Sequence, residues 1–286
     1  MDNESVIPQP AKEVCASCGA TLKGDYCRKC GEKKIVPERD FSVAKFLNQT
    51  LWHFVHFDSK LLKSCWLLYS KPGFLTAEWI AGRRVGYMKP LQLFIVASVL
   101  FYFFLPTTTA YFTGSRDLIR GYEERKIMMN AFHYDFGKAL TETAVKLQVD
   151  NEALKTDITA EAAQRSKSWL FIIIPFWGVF IYLFFQRKIP WLVPHLIFAM
   201  HGLTFYILLD LSIHAVTGVL SVKIDGRYIF LSLMTAFPVY QALAARRVYD
   251  DTWLLTILKT TGTAAGFAVL LLLYRQMVTI STIAFI

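Results

Sequence analysis

With 286 residues, 54% of them hydrophobic and 15% aromatic, and a positive mean hydropathy, the chain carries more apolar surface than a soluble globular domain buries. Its net charge of +9 would suit a nucleic acid, but Arg83, Arg84, Lys89, Arg187, Lys188, Arg246 and Arg247 stand directly beside apolar runs, where basic residues set membrane orientation. That placement makes a lipid bilayer the expected partner, with no nucleic acid expected, and charge is concentrated in 1–90 and 113–168 and the long apolar runs in 91–112 and 169–286.

Residues 1–12 read as a disordered N-terminus, polar and punctuated by Pro8 and Pro10; without the apolar core of a signal peptide they are expected to start in the cytosol. Residues 13–34 hold the strongest local signal. Cys15-Ala-Ser-Cys18-Gly19 and Tyr26-Cys27-Arg-Lys-Cys30-Gly31 are two C-x2-C-G knuckles, with eight residues between their inner cysteines. Each knuckle brings two thiolates to one ion, and Gly19 and Gly31 let backbone amides turn toward the sulfurs. Thr21 to Tyr26 is long enough for a tight hairpin that sets the knuckles face to face. The pattern predicts a closed tetrahedron of Cys15, Cys18, Cys27 and Cys30 around one structural Zn2+, with no position open to substrate. Disulfides are disfavoured by a cytosolic setting, and no βαβ pattern surrounds either pair as a redox motif requires. Iron suits the same four thiolates, although rubredoxin-type spacings are longer. Cys65 stands alone on an apolar stretch and reads as a small packing residue.

Residues 35–90 read as a hinge, Val36-Pro-Glu-Arg-Asp40, followed by interfacial amphipathic helices. A first piece interleaves Phe46, Leu51, Trp52 and Phe54 with polar positions. A second, Ser59 to Tyr69, stops at Lys71-Pro72-Gly73, and a third, Leu75 to Ala81, stops at Gly82-Arg83-Arg84. His53 and His56, with Asp58 nearby, lack a third ligand in register and read as the polar face of a surface helix.

The membrane domain is expected over 91–286, with spans at 91–112, 169–185, 191–211, 228–245 and 253–274 and with Trp169, Trp191 and Trp253 as interfacial anchors. The fold class is therefore an all-α polytopic membrane protein of about five transmembrane helices, preceded by a small four-cysteine ribbon. Basic hairpins at 186–190 and 246–252 should stay inside, which puts the N-terminus in the cytoplasm, the helical loop 113–168 outside and the C-terminus outside an inner membrane. His195, His201 and Asp210 lie within the third span and His214 just beyond it. Their expected roles are structural: His195 capping the inner helix end beside Pro194, Asp210 pairing with His214 at i,i+4, and His201 hydrogen-bonding another helix. Gly262-x-x-x-Gly266 permits close helix contact, either within the bundle or in a homodimer.

Cys15-x2-Cys18-Gly19, Tyr26-Cys27-x2-Cys30-Gly31-Glu32-Lys33, Lys71-Pro72-Gly73, and Gly82-Arg83-Arg84 running through Tyr87 and Pro90 carry a resemblance. Over 15–105 the chain resembles an uncharacterised family of bacterial membrane proteins, a domain of unknown function, in which a short zinc ribbon precedes a helical membrane domain. The resemblance implies the architecture and no activity. Lacking a nucleophile elbow, a metalloprotease helix, a phosphate-binding loop or a dinucleotide fingerprint, the sequence is read as non-enzymatic. Its expected role is recruiting or organising a cytosolic or membrane protein partner through the ribbon. A small transporter or channel and a membrane-embedded lipid-modifying enzyme are the alternatives. A cysteine substituted at Asn151 in a Cys65→Ser background should react with a membrane-impermeant thiol reagent in intact cells; protection there would reverse the topology.

Overall fold

The computed structural model describes residues 14–36, 40, 60–104, 171–222, 224 and 226–284. The expected N-terminal tail, the centre of the hinge, the first interfacial piece with His53, His56 and Asp58, and the loop 113–168 lie outside the described residues.

Two hydrogen-bonded knuckles form the ribbon, and the rest of the described chain is helical. The helices are α1 (Lys60–Ser70), α2 (Phe74–Ile80), α3 (Pro90–Phe104), α4 (Phe171–Phe185), α5 (Leu192–Val219), α6 (Gly226–Tyr249) and α7 (Trp253–Ala284). Pro90 opens α3, a position whose missing N–H costs nothing because first-turn amides have no partner within the helix.

Helix α5 is the axis of the bundle. Val193, Ile197, Leu203 and Ile207 are all but inaccessible, and α1, α2, α3 and α6 pack around it. Its apolar residues occupy every face, the pattern of a helix enclosed on all sides. Helix α7 differs: 78% of the residues in the most apolar stretch of α5 are buried, against 22% in α7. Leu254, Leu258, Val269 and Leu272 of α7, Phe176 and Leu183 of α4, and Leu231 and Val239 of α6 all lie exposed.

The five-span count is not supported. Two helices, Leu192–Val219 and the Trp253–Tyr274 part of α7, are long and apolar enough to cross a membrane. Helices α3 and α4 are apolar but short over their described lengths, and α6 carries Pro238, Gln241, Arg246 and Arg247, which dilute its apolar run. The ring of Phe94, in the second turn of α3, also meets Phe171 in the first described turn of α4, with centroids 5.4 Å apart. Consecutive antiparallel spans would put Phe94 beside the other end of α4.

The second and third interfacial pieces behave differently from one another. Helix α1 is two-faced, with Ser64 and Leu68 buried while Leu62 is 80% and Trp66 71% exposed. Helix α2 is drawn into the bundle, and Leu75, Thr76 and Trp79 are buried against α5 and α6. The Lys71-Pro72-Gly73 turn makes this possible. Gly73 has φ +75°, and a Cβ there would stand 2.5 Å from the backbone oxygen of Ala244 in α6, while the Arg247 guanidinium donates to the Pro72 carbonyl at 2.7 Å.

The small-residue pair of α7 serves the same chain. The rings of Phe184 and Phe180 from α4 lie over Gly262 and Gly266, so the glycines seat an intramolecular helix contact. At one end of the bundle, buried Asp251 accepts from Lys259 at 2.6 Å and pairs with Lys188 at 3.3 Å, joining the two basic hairpins.

Gly73→Ala should cost about 2–5 kcal/mol, combining left-handed backbone strain with a clash against an unyielding main chain. Gly218→Ala in α5, where a Cβ meets nothing, should be neutral or slightly stabilising. Thermal unfolding of the two variants in detergent reads the difference.

Candidate metal centre and its seat on the helices

The ribbon is one unit used twice. Cys15 N–H donates to Ala20 O at 2.8 Å and Gly19 N–H to Cys15 O at 2.9 Å; twelve positions later Cys27 N–H donates to Glu32 O at 2.8 Å and Gly31 N–H to Cys27 O at 2.9 Å. Antiparallel bridges Val14–Thr21 and Tyr26–Lys33 close the two loops in the same way. Gly19 and Gly31 have φ +71° and +74°, the left-handed turn that glycine takes without steric penalty.

This backbone brings the four sulfurs within 4.8 Å of one another. Cys15 and Cys30 are 3.5 Å apart, as are Cys18 and Cys27, so each knuckle reaches across to the other. Four-coordinate zinc with bonds of about 2.3 Å places its sulfurs about 3.8 Å apart, and the observed donor set fits that demand. None of the four is in a disulfide. The amides of Cys30 and Lys29 pull the Cys27 thiol down to about 6. Cys30 is favoured by the amide of Glu32, yet desolvation and the neighbouring sulfurs of Cys15, Cys18 and Cys27 push it up to about 12. Four crowded thiolates need a cation, and a cation held by all four has no open position for chemistry. The sulfurs and their spacing suit a metal ion of this class without distinguishing zinc from iron.

The ribbon does not stand clear of the helices. Glu32, 4% exposed, accepts at Oε2 from the backbone amides of Arg84 at 2.9 Å and Val85 at 3.1 Å and from the Ser17 hydroxyl at 2.9 Å. Ile35 packs over Gly82, whose φ of +84° turns the chain after α2. Lys33 pairs with Asp40 at 3.0 Å, and the other carboxylate oxygen of Asp40 accepts from Val36 N–H at 3.0 Å. The receiving loop is itself folded back on α2: Arg83 pairs with Glu78, and Arg84 donates to Trp79 O at 3.0 Å with its guanidinium 3.6 Å above the Trp79 ring. Burial pulls the Arg84 guanidinium down to about 10, opposed by the charges of Asp40 and Glu32.

The polar residues of α5 are held in structural bonds. His201 Nδ1 meets Thr76 Oγ1 of α2 at 2.8 Å. The Ile189 carbonyl, 3.0 Å from His195 Nε2, can only accept, so Nε2 carries the proton and Nδ1 accepts from the Tyr249 hydroxyl at 2.9 Å. His195 thus closes the 186–190 loop onto the start of α5. His214 Nδ1 lies 3.1 Å from Asp210 Oδ1 and 2.9 Å from the Asp210 carbonyl. Cys65 is half-buried among apolar neighbours in α1, away from the cluster. Glu32, Thr76 and Tyr249 are bonding partners that sequence spacing does not reveal. For Glu32 the available signal was an acid directly after a knuckle glycine.

Residues 58–102 match a family described as "Protein of unknown function (DUF3667)". The matched stretch takes in α1, α2, the loop bearing Arg84 and Val85, and most of α3. Comparisons with curated proteins and with solved structures find no match.

Metal analysis of the purified full chain should find about one metal ion per chain. Cys27→Ser should weaken binding by about two to three orders of magnitude, because a quarter of roughly 10–16 kcal/mol of ligation is removed. Cys65→Ser should leave both stoichiometry and affinity unchanged.

Proposed function

We propose that the chain is a non-enzymatic, multi-pass protein of a bacterial inner membrane. In this reading the ribbon and both basic hairpins face the cytoplasm, and the ribbon holds one structural zinc and recruits or organises a protein partner there. The observation that carries the reading is the closed thiolate cluster beside a helical bundle whose outer faces are apolar. A four-cysteine cage leaves no coordination site for a substrate, so its use is to shape the peptide around it. Exposed leucines, valines and phenylalanines on α4, α6 and α7 form the kind of surface that lipid covers. The bonding of His195, His201 and His214 to partners within the bundle favours a structural use of these residues over proton transfer.

The test is made in cells with the full chain carrying Cys18→Ser and Cys27→Ser. The variant should stay in the carbonate-resistant membrane fraction at near-normal abundance, while proximity labelling from its N-terminus loses the cytosolic neighbours seen with the parent chain. An unchanged set of neighbours would move the function into the helices.

A further inference from the structure

Glu32 is placed by the metal ribbon and used by the helical domain. Its carbonyl accepts from Cys27 N–H at 2.8 Å, so its backbone position follows from closure of the second knuckle. Its side chain then delivers one carboxylate oxygen to three donors: Ser17, which lies between the two ligands of the first knuckle, and the successive amides of Arg84 and Val85. Two consecutive N–H groups turned toward one anion make a small backbone nest, here filled by a residue fifty-two positions earlier in the chain. The first knuckle has Ala20 at the position equivalent to Glu32 and no such reach.

We propose that the amide pair of Arg84 and Val85 is a carboxylate-binding site for Glu32, through which metal occupancy of the ribbon is coupled to the order of the α2–α3 connection. With the four thiolates ligated, both knuckles are closed, Ser17 and Glu32 are in register, and the carboxylate is seated. Without the ion, the knuckles lose the ligation that substitutes for a core in so short a segment, and the carboxylate is no longer held at the nest. Because the coupling is thermodynamic it is reciprocal: seating Glu32 must tighten metal binding by the factor by which metal tightens the seat. Buried charge-assisted hydrogen bonds to backbone amides are strong enough for that factor to be measurable. The proposal rests on the four-thiolate reading of the ribbon and is independent of its recruiting a partner.

The experiment uses the full chain in detergent and reads amide hydrogen exchange at Arg84 and Val85 with and without Zn2+, alongside zinc affinity by competition with a chromogenic chelator. Stripping the zinc should speed exchange at both amides by at least about tenfold while α5 amides keep their protection, the scale expected for hydrogen bonds to a charged acceptor. Glu32→Ala should show the fast exchange with zinc still bound, and should weaken zinc affinity by a matching factor. Glu32→Gln, which keeps an acceptor oxygen without the charge, should fall between. Exchange at Arg84 and Val85 that ignores zinc in a loaded chain, or a Glu32→Ala chain indistinguishable from the parent, would overturn the coupling alone. A chain that binds no metal would overturn the ribbon reading and the coupling together.

Discussion

The apolar stretch of α5 is enclosed by its neighbours, and that enclosure is the condition on which the rest of the bundle depends. From Val193 to Asp210 it is buried almost without a break, and α1, α2, α3 and α6 each cover part of it. The short α2 would have been read as a surface element by its length alone. It is buried instead because the Pro72-Gly73 turn lets the main chain come against Ala244 and brings Thr76 to His201. The polar atoms that α5 carries inward are bonded one by one, as buried groups in a low-dielectric interior must be.

The same requirement explains how the chain is tied together around the last turns of α6. Where 186–190 and 250–252 come together, Asp251 sits between Lys188 and Lys259, and the positive charges that could hold these hairpins on one side of a bilayer are partly neutralised. Tyr249, stacked on Phe185 with centroids 4.0 Å apart, delivers its hydroxyl to His195 and locks the last turn of α6 to the first of α5. Aromatic stacking and one fixed tautomer thus hold α6 to α5, as the glycine turn holds α2 to α6.

Legibility in the sequence followed the range of the interaction. Knuckle spacing is local, and the four cysteines it groups, Cys15, Cys18, Cys27 and Cys30, lie together in the fold. The long apolar runs of α5 and of the first part of α7 were equally plain, as was the stop at Lys71-Pro72-Gly73. The five-span count was not, because apolar composition does not say whether a run such as α3 crosses a bilayer or covers another helix. Composition likewise made α1 and α2 look alike, although only α1 keeps an exposed apolar face. Gly262 and Gly266 allowed two packing partners, and only tertiary placement of Phe180 and Phe184 chose between them. Glu32 was the least legible of all, since an acid after a knuckle glycine does not say that its donors are the amides of Arg84 and Val85, some fifty residues on.

The twofold repetition within the ribbon has a consequence of its own. A cage built from two equivalent knuckles looks the same to its ion when the halves are exchanged, so ligation by itself leaves the ribbon two indistinguishable ways of facing the helices. Glu32 on one half and Ala20 on the other remove that degeneracy. One methyl and one carboxylate at matched positions turn a symmetric object into one with a front and a back, and the half that carries the carboxylate is the half whose acid meets the helices.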